Sequence, residues 1–136
     1  MTESGGQSLI EVALALPLLL VLLLGMVDGA RAYYVAGLVA NAAREGASYA
    51  ARNATATRAQ VTQRACDTTG IAAFGTACPG LTVACTVSGG DASVEVRLDF
   101  SLLTASITDA AFKFNPIPIR ADARFPMLTA GTPCAS

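Results

Sequence analysis

Glu11 is the one ionisable side chain between Leu9 and Val27, a nineteen-residue run otherwise built of leucine, isoleucine, valine, alanine, methionine, glycine and Pro17. A carboxylate just inside such a run is expensive in hydrocarbon and is usually retained for a function. The chemistry open to it is charge pairing, because an ammonium and a carboxylate attract strongly where water is excluded. Its position is the second clue. Gly6 stands five residues earlier, after a short polar leader. Glu11 as a mere polar end to the span is the bland reading, and the Gly6 spacing weighs against it.

Few other residues offer chemistry. The chain has no histidine, so the commonest general base and metal ligand is missing, and no Ser, Thr or Cys can be activated by one. Asp91, Glu95 and Asp99 alternate with apolar residues, which reads as the wet face of a strand and not as a carboxylate pair. No catalytic residue, cofactor or metal is expected. The four cysteines, Cys66, Cys78, Cys85 and Cys134, all follow the apolar run, and no pair has the C-x2-C spacing of a zinc site. An even number in a small exported domain favours two disulfides. Three pairings are possible. Cys66–Cys78 with Cys85–Cys134 is expected, because the first pair closes a short local loop.

The elements that must position these residues begin with a helix. Nineteen residues at about 1.5 Å each cover a hydrocarbon core of roughly 30 Å, and only a helix satisfies its backbone there. Residues 1–6 form the leader and residues 7–27 the transmembrane helix, with Pro17 as a kink or soft point. The leader lacks the basic residues of a secretory signal, and no A-x-A site follows the leucines. Asp28 and Arg31 are a charge pair at i, i+3, and Tyr33 and Tyr34 suit a headgroup layer. Residues 28–66 then continue as an amphipathic helix, broken near Asn53-Ala54-Thr55. One side carries Ala36, Ala40, Ala43, Gly46, Ala47 and Ala50, small residues whose spacing allows close helix approach. Arg44 and Glu45 lie on the other side.

Residues 67–136 read as a small disulfide-stapled antiparallel β domain. Asp67 to Gly80 is loop by composition. Leu81, Val83, Cys85 and Val87 alternate with polar or small residues; after Gly89-Gly90-Asp91, Val94, Val96, Leu98 and Phe100 do the same. A third strand is expected over Ile119–Met127, with Pro116 and Pro118 confining its start to an edge. Leu102–Phe114 is a connection, with a short helix near Ile107–Phe112. The fold class is α+β: a long N-terminal helix, transmembrane and then extracytoplasmic, followed by a small antiparallel sheet.

Charge points away from nucleic acid. Residues 1–27 carry Glu3 and Glu11, −2; residues 28–136 carry nine basic and eight acidic groups, +1; the sum is the overall −1. No basic cluster marks a phosphate backbone. Every Lys and Arg follows the span, which by the positive-inside tendency would hold the C-terminal part in the cytoplasm. The cysteines argue for the opposite side. They carry more weight, because long domains translocate largely regardless of charge.

Gly6-Gln7-Ser8-Leu9-Ile10-Glu11-Val12-Ala13-Leu14-Ala15-Leu16-Pro17, then Gly25-Met26-Val27-Asp28-Gly29-Ala30-Arg31, then Asn41-Ala42-Ala43-Arg44-Glu45-Gly46-Ala47 together resemble the TadE-like family. Those proteins are minor pilins or pseudopilins of the tight-adherence, Flp-type IV pilus system. The matching blocks cover roughly residues 5–50, with Pro17, Asp28, Arg31, Arg44, Glu45 and Gly46 as motif positions. The resemblance implies a bacterial inner-membrane, single-pass subunit with its C-terminal domain outside the cytoplasm, associated with the pilus. A prepilin peptidase would cut between Gly6 and Gln7. Glu11 would neutralise the freed amine of a neighbouring subunit. The implied partners are other pilin-like subunits, packing through the small-residue face, and the assembly machinery, the peptidase and the lipid bilayer. The alternative is a tethered exterior binding module that keeps its leader.

Overall fold

A computed structural model describes residues 4–68, 80–106, 109, 113 and 115–135. The order is α1 (Ser4–Arg52), α2 (Arg58–Thr68), β1 (Leu81–Ser88), β2 (Asp91–Phe100) and β3 (Ile117–Pro126). The class is α+β, one long helix followed by a three-stranded antiparallel sheet with β2 in the centre. In α1, 49 residues run without a stop through Pro17. Its first half stands apart from the rest of the chain. From Leu9 to Val27 every large apolar side chain is 41–74% exposed, and this half meets the length and hydropathy test for a membrane span.

The second half of α1 is the core of the helix–sheet unit. Val39, Ala42, Ala43, Gly46, Ala47 and Ala50 are buried there, facing Ala92, Val94 and Val96 of β2 within one apolar cluster. Each fully buried valine contributes on the order of 1.5–3 kcal/mol. Strand and helix lengths agree. Asp28 to Ala51 covers about 35 Å of helix, and the ten residues of β2 cover about 33 Å. The contacts match end to end: Asp28 reaches Leu103 and Thr104, just past the end of β2. At the other end Ala51 O accepts from Leu128 N (3.0 Å), while Met127 N donates to Gly90 O, ahead of β2 (2.8 Å). The strands therefore lie lengthwise along the helix.

The strand alternation expected from the sequence is present. Cys85, Val94, Val96 and Phe100 are buried, while Thr82, Thr86, Glu95, Arg97 and Asp99 are exposed. Register places Glu95 opposite Asp122 and Arg97 opposite Arg120 on the wet face, where water screens pairs that would be unfavourable in the core. β3 starts two residues earlier than expected, at Ile117. Pro118 is admitted because β3 is an edge strand and no outer neighbour needs its missing amide proton. Of the helix expected near Ile107–Phe112, only Asp109 lies within the described residues and is helical; residues 69–79 of the expected loop lie outside them.

The helical stretch expected to run to residue 66 divides. α1 stops at Arg52, where Asn53 caps it by donating Nδ2 to Tyr49 O (2.8 Å), and the chain folds back. α2 opens with a capping box: Thr57 N donates to Gln60 Oε1 (3.0 Å) and Gln60 N to Thr57 Oγ1 (3.3 Å), two orphan helix donors satisfied at once. Arg64 Nε then donates to Glu45 Oε1 across the two helices (3.1 Å). The C-terminal tail closes over this turn. Cys134 N donates to Ala56 O (2.8 Å) and Arg58 N to Ala135 O (3.3 Å). A disulfide joins Cys134 to Cys85 of β1, with Cα atoms 5.7 Å apart over a separation of 49 residues. Closing a loop of that length is worth about 4 kcal/mol in the chain-entropy picture. Cys66 is also disulfide-bonded; Cys78 lies outside the described residues.

Gly131 lets the tail touch the turn. A Cβ there would stand 2.8 Å from Ala54 O and 3.0 Å from Ala54 Cα, and backbone has no room to yield. Gly131→Ala is expected to destabilise the helix–sheet unit by about 1–3 kcal/mol. Gly37→Ala, where the added carbon meets nothing, should be neutral or mildly stabilising through helix propensity. Urea unfolding in detergent, followed by circular dichroism, compares the two.

Candidate functional site

Two sites emerge along α1, one in the apolar half and one where that half ends. In the first, Gly6, Gln7 and Glu11 all lie within the helix and are exposed. Gln7 and Glu11 are four residues apart, hence on one face. Among the described residues no ion pair engages Glu11, and its neighbours Leu9, Ile10, Val12 and Leu14 are 58–74% exposed. A carboxylate so placed is available to an external cation.

The second site is centred on Asp28. It is the first residue after the apolar run, and it is buried, with 3% of its surface exposed. The amides of Leu103 and Thr104 donate to Oδ1 (2.9 Å) and Oδ2 (3.0 Å), and Thr104 Oγ1 donates to Oδ2 (2.7 Å). Arg31 Nη1 adds a fourth contact at 3.3 Å. Burial by itself would raise this carboxyl. The Leu103 amide, the Thr104 hydroxyl and amide, and Arg31 outweigh it and hold the pKa below the ordinary aspartate value. Arg31 also lies over the Phe100 ring, 5.2 Å from its centre, a cation–π contact. The i, i+3 pair read from the sequence is present, but its main work is to bind the β2–β3 connection to the helix.

The other motif positions also serve the fold. Gly46 is buried: a Cβ there would meet Val94 Cγ1 at 3.2 Å, Ala65 Cβ at 3.4 Å and Val61 Cγ1 at 3.6 Å. Glycine brings the helix close to both sheet and α2. Glu45 is held by Arg64, and Arg44 is exposed. The small-residue face built from Ala43, Gly46, Ala47 and Ala50, with Ala36 and Ala40 half-buried at its start, is thus occupied by this chain's own sheet and second helix. Partner pilins are the expected occupants of this face; the chain's own sheet and α2 cover it instead, because small-residue spacing predicts close approach without saying of what. Sequence reasoning missed Leu103 and Thr104. The available signal was Asp28 itself, since an acid directly against an apolar run needs donors and Arg31 supplies only one neighbour.

The family model described as TadE-like protein matches residues 6–48. Over that segment the chain is similar to TadE-like proteins. The match takes in Gly6, Glu11, Pro17, Asp28, Arg31, Arg44, Glu45 and Gly46, and it stops before α2 and the sheet. It makes the protein a candidate tight-adherence pilus-related subunit. No significant match was found among curated proteins or among solved structures.

Asp28→Ala removes the acceptor shared by three donors of the β2–β3 connection, so it should lower the unfolding temperature more than Arg31→Ala does. The sign of the pH effect follows from the depressed pKa. The Asp28 contribution is full above the ordinary aspartate pKa and is lost as pH falls below about 4. Thermal melts from pH 7 down to pH 3 should show a smaller acid loss in Asp28→Asn than in the parent; equal losses would contradict the assignment.

Proposed function

We propose that this chain is a single-pass inner-membrane subunit for assembly of a tight-adherence, Flp-type pilus, with residues 28–136 outside the cytoplasm. It acts structurally and carries no catalytic centre. The observation that carries the reading is the TadE-like match over residues 6–48, which contains a lone exposed acid within an otherwise uncharged lipid-length helix. Residues 1–6 are a leader cut by a prepilin peptidase between Gly6 and Gln7. The mature chain then begins with an ammonium at Gln7, and Glu11 of a neighbouring subunit neutralises it. In low dielectric that pair is far more favourable than either charge alone, which gives assembly a directional contact inside the membrane. The partners are pilin-like subunits and the assembly machinery.

With the small-residue face covered by the sheet, contact with partner helices falls to the apolar half of α1 and to the exposed side beyond it, where Asn41 and Arg44 lie. The second reading is a tethered binding module that keeps its leader. The disulfide-closed exterior unit is the observation that favours it.

Intact mass of the chain taken from native membranes should show loss of Met1–Gly6. A retained leader would favour the tethered module. Glu11→Gln keeps the shape and removes the charge. It should insert in the membrane at parental levels yet reduce surface pili at least about tenfold, the cost of roughly 1.4 kcal/mol in a charged contact. Parental pilus counts would remove Glu11 from assembly.

A further inference from the structure

The Asp28 clamp fixes a height as well as a fold. Asp28 follows directly after Val27, the last residue of the apolar run, so the loop it holds is brought to the level where the span ends. Leu103 lies in that loop with its amide on Asp28 (2.9 Å) and its side chain 60% exposed. The next residue is tied by two further bonds to the same carboxylate, so the leucine is held outward on a fixed backbone. Met26 and Val27, 63% and 47% exposed, belong to the same level of the helix. Basic groups accompany the apolar ones. Arg31 keeps 43% of its side chain exposed. Lys113 is exposed, two residues before Asn115, whose Oδ1 accepts from Leu102 N (3.2 Å). Of the nearby acids, half-buried Asp109 accepts from Asn115 N through Oδ1 (3.0 Å), and exposed Asp99 pairs with Arg97 (3.3 Å).

We propose that the Leu102–Thr104 loop is a second membrane contact, with Leu103 inserted at the lipid headgroup–acyl boundary and Arg31 and Lys113 at the level of the phosphates. An apolar side chain with basic neighbours is the composition that suits that layer. The consequence is mechanical. A sheet unit that touches lipid at Leu103 as well as through α1 is fixed in its rotation about the helix, and the side it turns toward neighbouring subunits is set. This inference rests on the anchored reading proposed above.

The chain contains no tryptophan, so a single introduced one reports on its own surroundings. Full-length Leu18→Trp, Leu103→Trp and Leu128→Trp are reconstituted in phosphatidylcholine–phosphatidylglycerol vesicles, with and without brominated lipids, the bromines near the glycerol end of the acyl chain for Leu103→Trp and Leu128→Trp and near the chain terminus for Leu18→Trp. Leu128 is 73% exposed and lies next to Ala51 at the far end of the unit. Leu103→Trp should be blue-shifted and lose emission to brominated lipid, whereas Leu128→Trp should show neither. If Leu18→Trp is quenched and Leu103→Trp behaves like Leu128→Trp, the loop contact is overturned and the anchor stands. If Leu18→Trp is not quenched, the anchored reading fails and takes this inference with it. Ser101→Trp, on the same loop and exposed, replaces Leu103→Trp should circular dichroism show that variant misfolded, and is read by the same criteria.

Discussion

One helix in this protein changes character at Asp28, apolar and exposed before it and packed against the chain's own sheet beyond it, and everything else follows from that change. From Val12 through Val27 the side chains of α1 are apolar and exposed, and from Val39 onward one side of the same helix is sealed by the chain's own sheet. Asp28 stands between. An ionised carboxylate there is tolerable because four donors surround it, three of them from the β2–β3 connection. The acid is therefore both the end of the apolar segment and the bolt that holds the sheet at a set height.

That arrangement makes an economical helix–sheet unit. A helix 49 residues long gives the sheet a rigid backing of its own length, so a core of small residues and valines suffices where large aromatics would have to be accommodated elsewhere. Gly46 and the alanines around it bring backbone to backbone, which gives many weak dispersion contacts over a narrow gap. The far end, where α1 stops, is closed by other means. There the turn before α2, the C-terminal tail and the Cys85–Cys134 bridge meet at one point. Covalent closure matters most in a unit this small.

Much of this was legible in the residues. Alternation from Leu81 to Phe100 identified both faces of the hairpin because a strand's two-residue period leaves no other assignment. The apolar run, its lone acid and the blocks after it led to the TadE-like resemblance, which the match over residues 6–48 bears out. What escaped was long-range. Asp28 meets Leu103 and Thr104 across 75 and 76 residues, and no local pattern carries that information. The fold-back after Arg52 was half visible: Asn53-Ala54-Thr55 read as a break, and Thr57 with Gln60 is a capping-box spacing that announces a new helix start. The helical period of Val61 and Arg64 nevertheless fits a continuous helix just as well. Small residues at four-residue spacing specify close approach without naming the partner, and here the partner proved to be the same chain.

The most direct measurement for this account of α1 is spin-label accessibility along the helix in lipid nanodiscs, with single labels at positions 12, 16, 20, 24, 34, 37, 41, 43, 44 and 47, using oxygen and a water-soluble nickel chelate as relaxants. The account predicts high oxygen and low nickel accessibility at every position through 24. Beyond Asp28 it predicts high nickel at 34, 37, 41 and 44 and neither relaxant at 43 and 47. Nickel access on one face of the segment before 28, or a boundary displaced by more than a turn from Asp28, would contradict it.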